Sequence, residues 1–204
     1  MKKTGRIFRR LAITLALAGG LASGLAACDT IGENVTNLVE GKIELPCPPY
    51  NIIADATRRV RFRDGPGRDL IDVDTDVQIT DVSVECFSDV SRKSRAGTMS
   101  VFVALAVTAA RGPANRNREA RFKYFIAVAD RANKILYREA FDSGTQFPGN
   151  ESRRIIRTEN IKLKFPILSG QTGKNFRVLT GLILSREELE YNRQEREART
   201  SIRR

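Results

Sequence analysis

The sequence predicts a mainly β protein: an antiparallel β-sandwich, immunoglobulin-like in general architecture, with a short C-terminal helix. Three observations lead there. Between residues 43 and 184 apolar and polar residues alternate in short runs of period two. Gly, Pro and Asn clusters punctuate those runs at close spacing. No long amphipathic stretch separates them, which argues against a parallel α/β sheet, and a body of this length makes one domain.

Ahead of that body stands a leader. Residues 1–10 hold Lys2, Lys3, Arg6, Arg9 and Arg10 without an acid, and residues 11–25 are almost wholly apolar or small. A cationic stretch followed by a short, glycine-containing apolar one reads as a signal peptide rather than a permanent span. It ends in Leu25-Ala26-Ala27-Cys28, which resembles the bacterial lipobox, so cleavage is expected before Cys28. The expected covalent groups are diacylglycerol on the Cys28 thiol and an N-acyl chain on its new amine. Several acyl chains hold a protein on a membrane without any spanning helix.

The domain map is therefore a signal peptide over residues 1–27, a lipidated flexible tether over 28–42, a β-sandwich over 43–184, and a C-terminal helix with a frayed basic tail over 185–204. The compartment is the cell envelope, lipid-anchored and facing the periplasm. Asp29 does not decide between inner and outer membrane. Arg9-Arg10 leaves general secretory and twin-arginine export both open.

A net charge of +11 suggests nucleic acid at first sight, but the leader supplies five of the cations. Without them 30 Lys and Arg face 24 Asp and Glu, about +6, and the bases interleave with acids instead of forming one run with aromatics. Nucleic acid is not expected as a partner. Anionic lipid headgroups or envelope polymers suit a basic surface tethered beside them.

Along the body, Pro46-Cys47-Pro48-Pro49 imposes an extended lead-in. Residues 50–54 and 58–63 are short strand candidates, and Asp64-Gly65-Pro66-Gly67 is a turn. Val73, Val77 and Ile79 continue through Val82, Val84 and Cys86 as a strand pair or one long bent strand. Residues 99–110 are apolar on both faces, which predicts a central strand. Residues 120–129 and 135–141 pair as a hairpin across a turn in which Asn133 takes the left-handed conformation. Residues 154–165 form a strand interrupted near 158–160, and residues 175–184 form the last. Ser185-Arg186-Glu187-Glu188 is a capping box that starts a helix, with fraying beyond about Glu197.

Of three cysteines, Cys28 is assigned to lipid. Cys47 and Cys86 remain as an even pair, either bridged in an oxidising compartment or standing as two buried free thiols.

Histidine is absent, which removes Ser-His-Asp and Cys-His nucleophiles and His-ligated metals. No metal site is expected. Asp72-Val73-Asp74-Thr75-Asp76 begins like a calcium loop but has Val77 where glycine belongs and Ser83 where a bidentate Glu belongs, so it reads as a solvated strand face. Gly170-Gln171-Thr172-Gly173-Lys174 fails as a phosphate loop, because Leu168 and Asn175 stand at positions the motif reserves for Gly and for Ser or Thr. Asp69, Asp81, Glu85 and Asp142 are the carboxylates that could meet for hydrolysis, and nothing in their spacing singles them out. No catalytic residues are assigned, and an enzyme is not expected.

Together the lipobox, Cys47-Pro48, the run Arg61-Phe62-Arg63-Asp64-Gly65-Pro66-Gly67-Arg68-Asp69-Leu70, Arg111-Gly112-Pro113, Tyr124-Phe125-Ile126-Ala127-Val128 and the stretch from Gly181-Leu182 through Glu188-Leu189-Glu190-Tyr191-Asn192-Arg193 resemble an uncharacterised alphaproteobacterial envelope lipoprotein family. The resemblance implies one exported β domain and brings no activity. The expected role is a non-catalytic interaction or assembly module for an envelope protein partner, with loops 64–69 and 170–174 as contact points. The alternative is a binding protein for an anionic envelope ligand, held by Arg58, Arg59, Arg61, Arg63 and Arg68.

Overall fold

The computed structural model of the protein describes residues 41–202, with side chains through residue 201. The expected signal peptide, Cys28, most of the expected tether and the last two residues of the chain lie outside the described residues. From Gly41 onward the chain forms one compact unit.

Two sheets make up the β-sandwich. The first contains six strands: β1 (Lys42–Ile43), β3 (Arg58–Phe62), β4 (Val73–Ser91), β5 (Gly97–Arg111), β8 (Arg153–Arg157) and β9 (Ile161–Ile167). β4 and β5 form a long antiparallel ribbon, and each edge of that ribbon carries two short strands end to end. β3 and β1 lie along β4; β8 and β9 lie along β5. The second sheet runs β2 (Tyr50–Ile52), β10 (Phe176–Leu182), β6 (Glu119–Asp130), β7 (Ile135–Gln146). Among the described strands only β2 departs from antiparallel pairing, lying parallel to β10.

The long strand β4 shows how the chain solves a conflict of phase. Its inward residues are Val77 and Ile79, then Val82 and Val90, so odd positions give way to even ones. Unbroken alternation would turn one half outward. A register shift between Ile79 and Asp81 leaves Thr80 as an extra residue, and the bulge returns the second half to the core. Thr80 Oγ1 donates to Ala106 O at 3.1 Å, which ties the bulge to β5. Of the two forms the sequence allows, one long bent strand is the one observed.

Val101, Val103, Leu105 and Val107 of β5 meet Phe122, Ile126 and Val178 of the second sheet, each exposing 2 % or less of its surface. Each such side chain contributes roughly 1.5–3 kcal/mol by burial. This makes the seam between the sheets the principal source of stability. Among the described residues no second layer lies over the outer face of β5. There Phe102 meets Phe87 edge-on at 5.8 Å, and Lys162 Nζ lies 5.5 Å from the Phe102 ring.

The hairpin of β6 and β7 turns as expected, with Asn133 at φ +62° and Asp130 Oδ1 accepting from the N–H groups of Ala132 and Lys134, both at 2.9 Å. Between β8 and β9 the ladder breaks at residues 158–160. Thr158 fills the gap, since its N–H donates to Leu105 O and its Oγ1 accepts from Leu105 N–H.

Cys47 and Cys86 form a disulfide with their Cα atoms 5.7 Å apart. It joins the segment between β1 and β2 to β4, which resolves the two readings of that pair. After β10 the capping box forms reciprocally: Ser185 N–H donates to Glu188 Oε2 and Glu188 N–H donates to Ser185 Oγ. The helix α1 (Arg186–Ile202) then continues past Glu197, where the sequence predicts fraying.

Candidate functional site

The five arginines singled out in the sequence lie on β3 and the loop after it, and each has an acidic neighbour. Arg58 binds Asp76 through two hydrogen bonds, Nε to Oδ1 at 2.8 Å and Nη2 to Oδ2 at 2.7 Å. Arg59 pairs with Glu188 of α1 at 2.8 Å, Arg61 with Asp74 at 3.8 Å, Arg63 with Asp72 at 2.5 Å and Arg68 with Glu187 at 3.3 Å. Arg58 is held in its charged form first by the hydrogen bond it donates to Asp76, against the opposing pull of burial.

The acidic side of this ladder is the Asp72, Asp74, Asp76 series. Antiparallel register places Arg58, Arg61 and Arg63 within reach of Asp76, Asp74 and Asp72 in turn. These aspartates therefore bind the neighbouring strand and its loop rather than presenting a solvated face; Asp72 is 3 % exposed. A Cβ at Gly67 would lie 2.3 Å from the Asp72 carboxylate, so any larger residue there would have to displace that side chain. Arg61, Arg63 and Arg68 border a small concavity of about 220 Å3 against α1, together with Glu187 and Glu188. Arg58 and Arg59 stand outside it.

α1 closes the lateral opening of the sandwich on this side. Tyr191 meets Phe62 edge-on at 5.2 Å, and Asn192 Nδ2 donates to Asp55 O at 2.8 Å and Arg58 O at 2.6 Å. Arg193 and Arg196 both pair with Asp55. Burial raises the Tyr191 phenol above its ordinary value, with Glu195 adding to the effect.

Among the described residues nothing covers the opposite opening. Among the described strands β7 is paired only to β6 and β9 only to β5, and between these two edges runs a groove of about 470 Å3. Leu136, Tyr137, Leu163, Phe165, Leu168 and Phe176 give it an apolar lining. Phe165 and Phe176 touch across the two sheets with ring centres 4.7 Å apart. The rim exposes Leu136 at 51 %, Tyr137 at 43 % and Leu168 at 60 %, large apolar surface for positions bordering one groove. β7 thus offers both an unpaired backbone edge and apolar side chains over its first three residues.

Of the two loops expected to make contacts, 170–174 borders this groove through Gln171, whereas 64–69 lies beside α1. Sequence reasoning missed the groove. Its only linear signal is Ile135-Leu136-Tyr137, three consecutive apolar residues where a half-buried strand would alternate.

The four carboxylates considered for hydrolysis are not brought together. Asp81 and Glu85 point from the outer face of the first sheet, Asp142 pairs with Lys123 on the outer face of the second, and Asp69 caps a turn beside Asp72. Among the described residues no group of Cys, Asp and Glu is arranged to hold a metal ion. No family model, no curated protein and no solved structure matches the chain.

Proposed function

We propose that the protein is a lipid-anchored, periplasm-facing module of the cell envelope that holds an extended apolar segment of an envelope protein and catalyses no reaction. The observation that carries this is the unequal treatment of the two lateral openings. One is sealed by the chain's own helix, and among the described residues the other is left as an apolar groove beside an unpaired strand edge. An extended segment adding to β7 would satisfy its free N–H and C=O groups and set alternate side chains against Leu136 and Phe176. The lipobox at Cys28 supports the location, as does a disulfide suited to an oxidising compartment.

The arginine-based reading of an anionic ligand is the weaker one. Arg58, Arg59, Arg61, Arg63 and Arg68 already have carboxylate partners, and a ligand would have to displace them.

The test is a photo-crosslinking residue placed at position 136 of the full chain in living cells, with position 155 on β8 as an exposed control outside the groove. A discrete adduct from position 136 and none from 155 supports the reading. Equal adducts from both, or none from 136, overturn it. Labelling with an acyl precursor in wild type and Cys28→Ser tests the anchor separately.

A further inference from the structure

Several turns converge at one end of the sandwich. The turn between β4 and β5 abuts the start of the folded body, where Arg92 N–H donates to Gly41 O at 2.6 Å. Gly97 pairs with Ile167, so the loop after β9 leaves from the same end. Asp130 pairs with Phe176, which brings the β6–β7 turn alongside, and Arg177 Nη1 donates to Asn133 Oδ1 at 3.2 Å. Turns far apart in the sequence thus share one surface.

That surface is cationic and uncompensated. Arg92, Lys93, Arg95, Arg131, Lys134 and Lys174 are all exposed, and none makes an ion pair among the described residues. Of the acids nearby, Asp89 pairs with Lys42 at 3.6 Å and Asp130 Oδ1 accepts two backbone N–H groups, which leaves exposed Glu44, just after β1, against the six cations. The contrast with β3 is direct, since every one of its arginines has a carboxylate. Among these cations stands Leu168, held outward in a tight turn by Gln171 Oε1, which accepts from Leu168 N–H at 3.0 Å, and by Gly170 at φ +81°.

We infer that this end of the sandwich docks on an anionic lipid bilayer, its six cations against headgroup phosphates and Leu168 in the interfacial layer. Unpaired cations around an exposed apolar tip match a surface that offers negative charge first and hydrocarbon beneath it. A soluble polyanion would use the charges and make no contact with Leu168, which also stands on the rim of the groove. The chain also meets its folded body here, at Gly41, so an anchor at Cys28, thirteen peptide steps away and at most roughly 45 Å, would act on the same face. The inference goes beyond the groove reading and needs neither the groove nor the anchor.

The experiment uses the chain over residues 28–204 with Cys28→Ser, so that no acyl chain contributes. Its co-sedimentation is measured with vesicles of phosphatidylglycerol mixed with phosphatidylcholine and with phosphatidylcholine alone. Expected are binding to the anionic vesicles only, release by high salt, and a roughly hundredfold weaker partition for Arg92→Gln/Lys93→Gln/Arg95→Gln, from about fivefold per cation. Leu168→Ser should weaken binding as well. Arg153→Gln/Arg157→Gln/Arg186→Gln, which removes as many exposed charges elsewhere, should not. Unchanged melting temperatures and an intact disulfide establish that the variants are folded. No binding to anionic vesicles, or undiminished binding by the first triple variant, overturns the inference. So does binding of inorganic polyphosphate that is lost in that variant while vesicles are ignored. Because the tested chain carries no lipid, the result is separate from whether Cys28 is acylated.

Discussion

Arg58 and Asp76 grip each other at two points across β3 and β4, a fork of guanidinium on carboxylate with both side chains about one-third exposed. Glu195 of α1 approaches the same guanidinium at 3.8 Å. One residue therefore links the edge strand to the sheet and the helix to the edge strand, and what happens at this pair is felt in both.

Replacing Asp76 with Asn should cost about 1–2 kcal/mol, since a charge-assisted two-point contact is stronger than a neutral one and partial exposure keeps it from being worth more. Arg58→Lys should recover little of the pair, because an ammonium cannot reproduce the fork. Urea unfolding of the single and double variants measures the coupling. A coupling indistinguishable from zero would show the geometry to be incidental.

Asn192 should matter more than its place on a polar helix suggests. Asn192→Ala leaves two half-covered carbonyls, those of Asp55 and Arg58, without their donor, at a cost of about 1–2 kcal/mol. The loss should fall on α1 first. Limited trypsin digestion would then cut within residues 186–199 well before the body, and equal cleavage rates in variant and wild type would contradict this.

The disulfide closes a separation of 39 residues. In the chain-entropy account Cys47→Ala/Cys86→Ala should lower stability by about 4 kcal/mol. Denaturant midpoints of the oxidised protein, the reduced protein and the double variant test it. The last two should agree with each other and fall below the first.

Alkaline pH should loosen the helix. The folded state holds the Tyr191 phenol above its ordinary 10.0, chiefly by burial, and burial does the same at Tyr124. Below pH 10 both folded and unfolded chains keep the proton and the full stability is present. As pH rises past 10 the unfolded chain gives up its proton first, so stability falls with increasing pH. Urea midpoints taken upward from about pH 9 should decline, and Tyr191→Phe should reduce the slope. An identical slope in the variant would place the effect elsewhere.

Much of the fold was legible because period-two alternation survives wherever one face of a strand is buried. The β6 and β7 hairpin, the turn at Asn133, the central strand β5 and the capping box at Ser185 all stand where local chemistry puts them. The bulge at Thr80 was visible only as a phase change, which a strand pair explains equally well. The parallel pairing of β2 with β10 depends on residues more than a hundred positions apart and leaves no local mark.

Site-level features were harder for the same reason. Asp72, Asp74 and Asp76 look solvated until β3 is laid beside them, and five clustered arginines look available until their partners are in place. The groove is a relationship between two edges, β7 and β9, and neither edge alone predicts it. What remained readable was composition: no histidine, and a cysteine pair that could cross-link.

The position of the Cys47–Cys86 bridge also decides how the body bears a mechanical load. A tug on the chain at Gly41 can peel away β1, which pairs through only two residues, and then meets a covalent bond. From there the strain passes into β4 and its long seam with β5, so that the short strand β2 is not the first element to bear it.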